Sequence, residues 1–247
     1  MFKIKGFQGV SLIDYPDKVS SVIFTSGCNM RCPFCQNPDL IFPIIPNPES
    51  RIPNPDFVLS NNGFLNKDDI LKAIFERKGF IDGVVITGGE PTIQDGLLDF
   101  CKKLKDASFL VKLDTNGYLP DVLRGLTENK AIDYIALDIK STFSSYNNAC
   151  GITVDVSKIK ESLEILKNSN IDYEIRTTGV PSLIDEDGIR EIASYIPWTK
   201  RYVLQQYRNK KTLNRDFEKI LPYPGDVLLS FKSIAEKSIK EVLVRGI

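Results

Sequence analysis

The sequence of 247 residues contains no histidine. That absence removes the commonest proton shuttle at neutral pH, and with it Ser-His-Asp and Cys-His nucleophilic mechanisms. It also removes HExxH zinc chemistry and imidazole ligation of haem. An excess of one charge is missing too. Lys plus Arg number 32 and Asp plus Glu number 32, so no net field draws the chain to nucleic acid or anionic lipid. No stretch approaches the roughly 20 apolar residues that span a bilayer. The opening MFKIKGFQGVSLIDYPDK is interrupted by Asp14 and Asp17 before it makes the apolar run of a secretory signal. With 42% hydrophobic and 26% charged residues the composition is that of a globular protein, expected in the cytoplasm, with neither nucleic acid nor membrane as partner.

Cysteine is sparse, and its placement is informative. Five cysteines are an odd number in a chain too long to depend on disulfide staples. Three lie together in Gly27-Cys28-Asn29-Met30-Arg31-Cys32-Pro33-Phe34-Cys35, a C-x3-C-x2-C spacing after the first β-rich run. Thiolates are soft ligands that favour zinc or iron–sulfur clusters. Structural zinc wants four closed ligands, usually as two separated pairs. Three cysteines without a histidine suit a four-iron cluster better, leaving one iron open to an exogenous ligand and hence to chemistry. Zinc remains the competing occupant. Cys101 falls on the apolar face of a helical pattern and reads as a small core residue. Cys150 has no predicted contact and reads as an ordinary thiol.

After residue 18, β-rich and helical runs alternate. Strands are expected at 19–25, 83–87, 109–114, 133–139, 171–178 and 201–206, with a short edge strand at 241–244. Helices are expected at 66–78, 94–106, 119–128, 156–168, 185–196 and 226–238. This alternation predicts an α/β fold with a parallel sheet and covering helices. Six strand–helix units fit either a partial barrel or an open doubly wound sheet. No repeat or linker divides the chain, so a single domain over 1–247 is expected. Residues 38–65 stand apart, with Pro38, Pro43, Pro46, Pro48, Pro53 and Pro55 ahead of Asn61-Asn62-Gly63. Such density predicts a long inserted loop, either a lid or docking surface over the cysteines or a passive insertion.

The cysteine spacing resembles that of the radical S-adenosylmethionine enzymes, and further signatures recur in order along nearly the whole chain. They are Gly88-Gly89-Glu90-Pro91, Asp114-Thr115-Asn116-Gly117 and Asp138-Ile139-Lys140, each at the carboxyl end of an expected strand. Singly these are weak, since Thr-Asn-Gly is only a turn signal; in register they are strong. The string GFQGVSLIDYPDKVSSVIFTSGCNMRCPFCQNPDL is similar to the glycyl-radical-enzyme activases, most of all the activating proteins of anaerobic ribonucleoside-triphosphate reductase. The resemblance implies a partial (β/α)6 TIM-like barrel. It implies a [4Fe-4S] cluster on Cys28, Cys32 and Cys35, and no catalytic residue beyond these ligands. S-adenosylmethionine would chelate the open iron and be cleaved by one electron to a 5′-deoxyadenosyl radical. The protein substrate would be a glycyl radical enzyme, the electron donor a reduced flavodoxin or ferredoxin, and the setting anaerobic.

An amino-acid ligand needs an acceptor for its ammonium and cations for its carboxylate. Glu90 is the candidate acceptor, with Gly88 and Gly89 permitting close backbone approach. Period-2 counting puts Ala136, Asp138 and Lys140 on one face of their strand, and Glu174 with Arg176 on one face of theirs. Lys140 and Arg176 are the candidates for the carboxylate, and the resemblance places Phe34 against the adenine. Each has a plainer competitor. Asp138 with Lys140 could be a structural ion pair, as could Glu174 with Arg176, and Asp114 and Asn116 could simply cap a turn. Asp114 and Asp138 could also hold a monovalent cation, as in related activases.

Two departures stand out. Many activases carry His-Asn-Pro after the third cysteine, where this chain has Gln36-Asn37-Pro38. Where several bring a histidine to the cofactor from the last strand side, this chain has Gln205-Gln206-Tyr207-Arg208, which leaves either Arg208 or no residue at all in that role. Two alternative functions accompany the activase reading. One is a radical enzyme acting on a small molecule, such as a 7-carboxy-7-deazaguanine synthase. The other is a non-catalytic metal-binding module.

Overall fold

The computed structural model describes residues 2–41, 57–59 and 63–247. The chain forms two compact units. One comprises Met1–Asn29, Asp39–Thr115 and Asp121–Ile135, and the other Met30–Pro38, Asn116–Pro120 and Ala136–Ile247.

The first unit carries β1 (Ile4–Ser11), β2 (Ser20–Thr25), the single turn α1 (Pro38–Ile41), β3 (Phe57–Leu59), α2 (Lys67–Phe75), β4 (Gly83–Gly88), α3 (Leu97–Asp106), β5 (Leu110–Thr115) and α4 (Pro120–Glu128). Its strand order is β3-β1-β2-β4-β5. β2, β4 and β5 run parallel, while β1 is antiparallel to β2 and β3 antiparallel to β1. Parallel strands buried on both faces read as apolar runs, here Val22-Ile23, Val84-Val85-Ile86 and Val111 with Leu113. Register sorts them into two faces. Val22 pairs with Val85 and Ile23 with Ile86. The first of these faces packs with Tyr15, Tyr134, Phe24 and Leu110.

β1 was not expected, because Gly6 and Gly9 interrupt its period-2 pattern and both faces are largely buried. At Gly9 the Arg77 guanidinium lies where a side chain would point. Several helix boundaries also shift, among them the end of the last helix, which falls at Ala235 instead of 238. α2 starts where expected, since the Asn66 side chain accepts from the N–H of Asp68 and Asp69, but it stops at Phe75. α3 begins three residues later than the pattern suggests, because Gly96 adopts φ +79 just ahead of it. Of the proline-rich stretch, residues 42–56 and 60–62 lie outside the described residues. Its described ends are a helical turn with Pro38 in first position and the strand β3, so the expected loop is shorter than 38–65.

β6 (Tyr134–Asp138) begins in the first unit, where Asp133 N donates to Val111 O, and ends in the second, where Ile139 N donates to Arg176 O. The second unit continues with α5 (Tyr146–Cys150), α6 (Val156–Asn168), β7 (Asp172–Gly179), α7 (Glu186–Tyr195), β8 (Tyr202–Gln206), α8 (Gly225–Ala235) and β9 (Val242–Arg245). β7, β8 and β9 are parallel, with β9 at the edge as expected. Asp155 and Asp185 cap α6 and α7. Among the described residues no helix is long and apolar enough to cross a membrane.

Candidate active site

In the first unit the residues in question gather at the carboxyl ends of β2, β4 and β5. The Gly88-Gly89-Glu90 backbone runs against the entry to the cysteine loop: Gly89 N donates to Thr25 O at 3.0 Å and Glu90 N to Gly27 O at 2.8 Å. A Cβ on Gly89 would lie 1.9 Å from Gly27 O, so the approach exists only because position 89 lacks a side chain. Gly88, at φ +122, faces Thr25 O within 2.5 Å of where its Cβ would be. The loop entry is held from the other side by Gly27 N donating to Leu40 O and Gln94 Nε2 donating to Ser26 O. Cys28 follows directly, half-buried.

Glu90 is almost wholly buried, and burying a carboxylate is costly unless donors meet it. Its Oε1 accepts from Thr92 N (3.1 Å), Thr92 Oγ1 (2.6 Å) and Thr115 Oγ1 (2.7 Å). Thr115, between Asp114 and Asn116, is thus a positioning residue for Glu90. The Asp114 carboxylate receives the ammonium of Lys112, a residue only 2% exposed. Alternation along β5 puts the two on one face, but Lys112 lies outside the Asp114-Thr115-Asn116-Gly117 string and no motif points to it. Asn116, in the second unit, accepts from Tyr118 N at 3.0 Å, the turn role weighed for it.

In the second unit three charged side chains meet. Asp138 accepts from Arg176 Nε on Oδ1 at 2.7 Å and from Lys140 Nζ on Oδ2 at 2.9 Å, with one carboxylate thus holding both cations. Burial alone would raise the Asp138 pKa, but Arg176 and then Lys140 outweigh it and hold the carboxyl well below the usual range. Burial likewise works against the Lys140 ammonium, and the charge on Asp138 overcomes it, pushing that pKa up. Glu174 shares a face with Arg176 but pairs with Arg245 of β9.

The cysteine loop in this unit is braced on two sides. Leu213 N donates to Cys35 O at 3.1 Å and Asn214 N to Pro33 O at 2.9 Å, while Gln36 Nε2 donates to the backbone oxygen of Arg208. The Arg208 side chain itself is exposed. Phe34 is buried. The other brace is α5, a five-residue helix that periodicity could not reveal. At one end Tyr146 Oη accepts from Lys140 N and donates to Asp138 O. At the other, Cys150 O accepts from Arg31 N at 2.8 Å, and the Cys150 side chain hydrogen-bonds that of Cys32. That bond, assisted by the charge of Lys140 and opposed by burial, lowers the Cys32 thiol to about 7. Burial pushes Cys35 up, and it pushes Cys101 up to about 12. Cys150 is therefore no ordinary loop thiol.

A match to the family model described as Radical SAM superfamily runs over residues 22–194. The chain belongs to that superfamily. A Methanocaldococcus jannaschii protein, provisionally named a glycyl-radical enzyme activating enzyme, is 35% identical over 99% of this chain and 96% of its own length. The pyruvate formate-lyase-activating enzyme of Clostridium pasteurianum is 26% identical over 79% of this chain and 76% of its own. Among solved structures, Streptococcus suis SuiB bound to S-adenosylmethionine superposes with TM-score 0.63 at 15% identity, over 91% of this chain and half of the SuiB chain. The α/β fold is thus the superfamily's partial TIM barrel, and the chain is a radical SAM enzyme.

The superfamily implies S-adenosylmethionine and an iron–sulfur cluster. Among the described residues no group of three or more Cys, Asp or Glu is arranged to hold a metal ion. The donor chemistry nevertheless suits a cluster, with Cys32 poised to lose its proton at neutral pH. The paired cations on Asp138 suit the carboxylate of an amino-acid ligand, whereas the space left by the missing side chains of Gly88 and Gly89 is taken by the backbone of Thr25 and Gly27.

Proposed function

We propose that this protein is a glycyl-radical-enzyme activating enzyme whose protein substrate is an anaerobic ribonucleoside-triphosphate reductase. The observation that carries the activating-enzyme reading is the end-to-end match to a relative provisionally named a glycyl-radical enzyme activating enzyme, with 99% of one chain aligned to 96% of the other; the choice of reductase rests on the resemblance of the string around the cysteines. Cys28, Cys32 and Cys35 would hold a [4Fe-4S] cluster, which with bound S-adenosylmethionine would supply one-electron radical chemistry directed at a glycine of the partner. The chain's own residues bind and orient. Lys140 and Arg176 face the cofactor carboxylate, and Asp138 fixes the spacing of their heads. Glu90, steadied by Thr92 and Thr115, would accept from the cofactor ammonium, and Gly88 and Gly89 let its strand end lie against the entry to the cysteine loop. Phe34 would meet the adenine, and Asp114 and Asn116 would contribute to holding the cofactor. The reductant is a flavodoxin or ferredoxin, and the compartment the cytoplasm.

The test is anaerobic incubation of the reconstituted protein with S-adenosylmethionine, reduced flavodoxin and an anaerobic ribonucleoside-triphosphate reductase from the same organism. Electron paramagnetic resonance should show a glycyl radical on the reductase. Formation of 5′-deoxyadenosine with no radical on the reductase would reject this partner.

A further inference from the structure

The chain is neutral as a whole, yet its charges are not evenly spread. Residues 208–215, RNKKTLNR, carry four cations and no acid in the stretch that follows the carboxyl end of β8. Arg208, Lys210, Lys211 and Arg215 are all exposed. A charged run at a surface is commonly just solvated, and two observations set this one apart. First, it has a built conformation. Tyr207 Oη donates to Phe217 O at 2.7 Å, Asn209 Nδ2 to Glu218 O at 3.1 Å and Thr212 N to Glu218 Oε1 at 3.2 Å. Lys211 is held at φ +51, a region that a lysine seldom takes. The acids that follow are engaged locally, Glu218 by Thr212 and Asp216 by Lys219. Second, the run is fastened to the third cysteine. Leu213 N donates to Cys35 O, Asn214 N to Pro33 O and Gln36 Nε2 to Arg208 O. These bonds set four exposed cations beside a loop in which Cys35 is half-buried and Gln36 and Asn37 are exposed.

We propose that the basic loop 208–215 is the docking surface for the one-electron carrier, a small protein whose redox centre is ringed by acidic side chains. This rests on the cluster reading above, because the cluster is what would accept the electron. Electron transfer weakens steeply with distance, so the carrier must seat beside the ligands, and the half-buried Cys35 is where this loop approaches the surface. Complementary charge steers such an encounter, raises its on-rate and makes it sensitive to salt. A transient complex of this kind gains most from steering, since the carrier must leave again once it is oxidised. The transfer moves one electron from the reduced carrier to the oxidised cluster, and no covalent bond forms or breaks.

The test compares the full-length reconstituted protein with Lys210→Glu and Arg215→Glu, singly and together. The control is Lys237→Glu, an exposed lysine in the turn between α8 and β9, at the other end of the parallel pair from the carboxyl end of β8. Equilibrium binding of oxidised flavodoxin and, separately, of oxidised ferredoxin is measured at low and high salt. The wild type should bind at least one carrier, less tightly as salt rises. The double variant should bind it about tenfold more weakly, the single variants should fall between, and Lys237→Glu should match wild type. Formation of 5′-deoxyadenosine should drop in the double variant when the carrier is the reductant and stay at the wild-type level with dithionite, which needs no docking. Neither carrier binding to wild type, equal affinity in the double variant, or an equal loss in Lys237→Glu would each overturn the proposal. So would unchanged carrier binding beside weakened binding of the reductase, which would give the surface to the protein substrate. Salt-sensitive carrier binding lost in the double variant, in a protein that cleaves nothing even with dithionite, would uphold the surface and reject the cluster reading instead.

Discussion

Arg245 holds Glu174 with both ends of its guanidinium, each nitrogen 2.7 Å from a different carboxylate oxygen. Glu174 is completely buried on β7, and Arg245 reaches it from β9, two residues before the end of the sequence. A bidentate pair of this kind fixes direction as well as distance. Arg245→Ala removes the bidentate partner of a buried carboxylate and should cost about 3 kcal/mol in urea unfolding. Glu174→Gln in the same chain should recover much of that loss. Equal stability of Arg245→Ala and wild type would show that Glu174 finds its compensation elsewhere.

Asp138 makes a pH-dependent contribution with a definite sign. Its carboxyl is held below the ordinary range, because Arg176 and Lys140 outweigh the effect of burial. A folded-state pKa below the unfolded value of about 3.9 gives stability that is complete above that pH and lost as pH falls toward the folded value. The stability difference between wild type and Asp138→Asn should therefore be constant from neutral pH down to about 5, and shrink below about 4. A difference that shrinks already near neutrality would mean another group dominates.

Gly89 separates a steric requirement from a general one. Gly89→Ala would drive a methyl into Gly27 O, 1.9 Å away, and displace the entry to the cysteine loop. Iron content after reconstitution should fall along with melting temperature. Gly125→Ala, in α4 with nothing near its Cβ, should instead stabilise by about 0.5–1 kcal/mol and leave iron unchanged. Unaltered iron loading in Gly89→Ala would remove the Gly89 contact with the cysteine loop from the account.

Lys140 is proposed to meet the cofactor carboxylate, and it supplies no atom to the cysteine set. Lys140→Ala should weaken S-adenosylmethionine binding, measured by equilibrium dialysis, with iron content retained. Loss of iron in this variant would assign Lys140 to folding of the Asp138–Tyr146 region.

Much of the architecture was legible because parallel strands and their helices leave periodic traces. The strands at β2, β4, β5, β6, β7 and β8 were each located within a residue or two, as were the carboxyl-terminal positions of Gly88, Asp114 and Asp138. What escaped has a common cause. β1 hides behind two glycines. α5 is one turn and a half, too short for a period, so Tyr146 and Cys150 carried no signal of their place beside Lys140 and Cys32. Alternation correctly put Glu174 and Arg176 on one face but could not name partners across strands, and each proved to pair with a residue far away in sequence. Local pattern reports which face a side chain takes; register and short irregular elements decide what it meets there.

The central claim is that this chain performs radical S-adenosylmethionine chemistry on its three clustered cysteines. The most direct measurement is 5′-deoxyadenosine formation by anaerobically reconstituted, dithionite-reduced protein given S-adenosylmethionine, with iron and zinc counted on the same sample. The account predicts a four-iron cluster and deoxyadenosine from wild type and from Cys101→Ala. It predicts none from Cys28→Ala, Cys32→Ala or Cys35→Ala. Bound zinc without iron, or undiminished cleavage in any of those three variants, would contradict it.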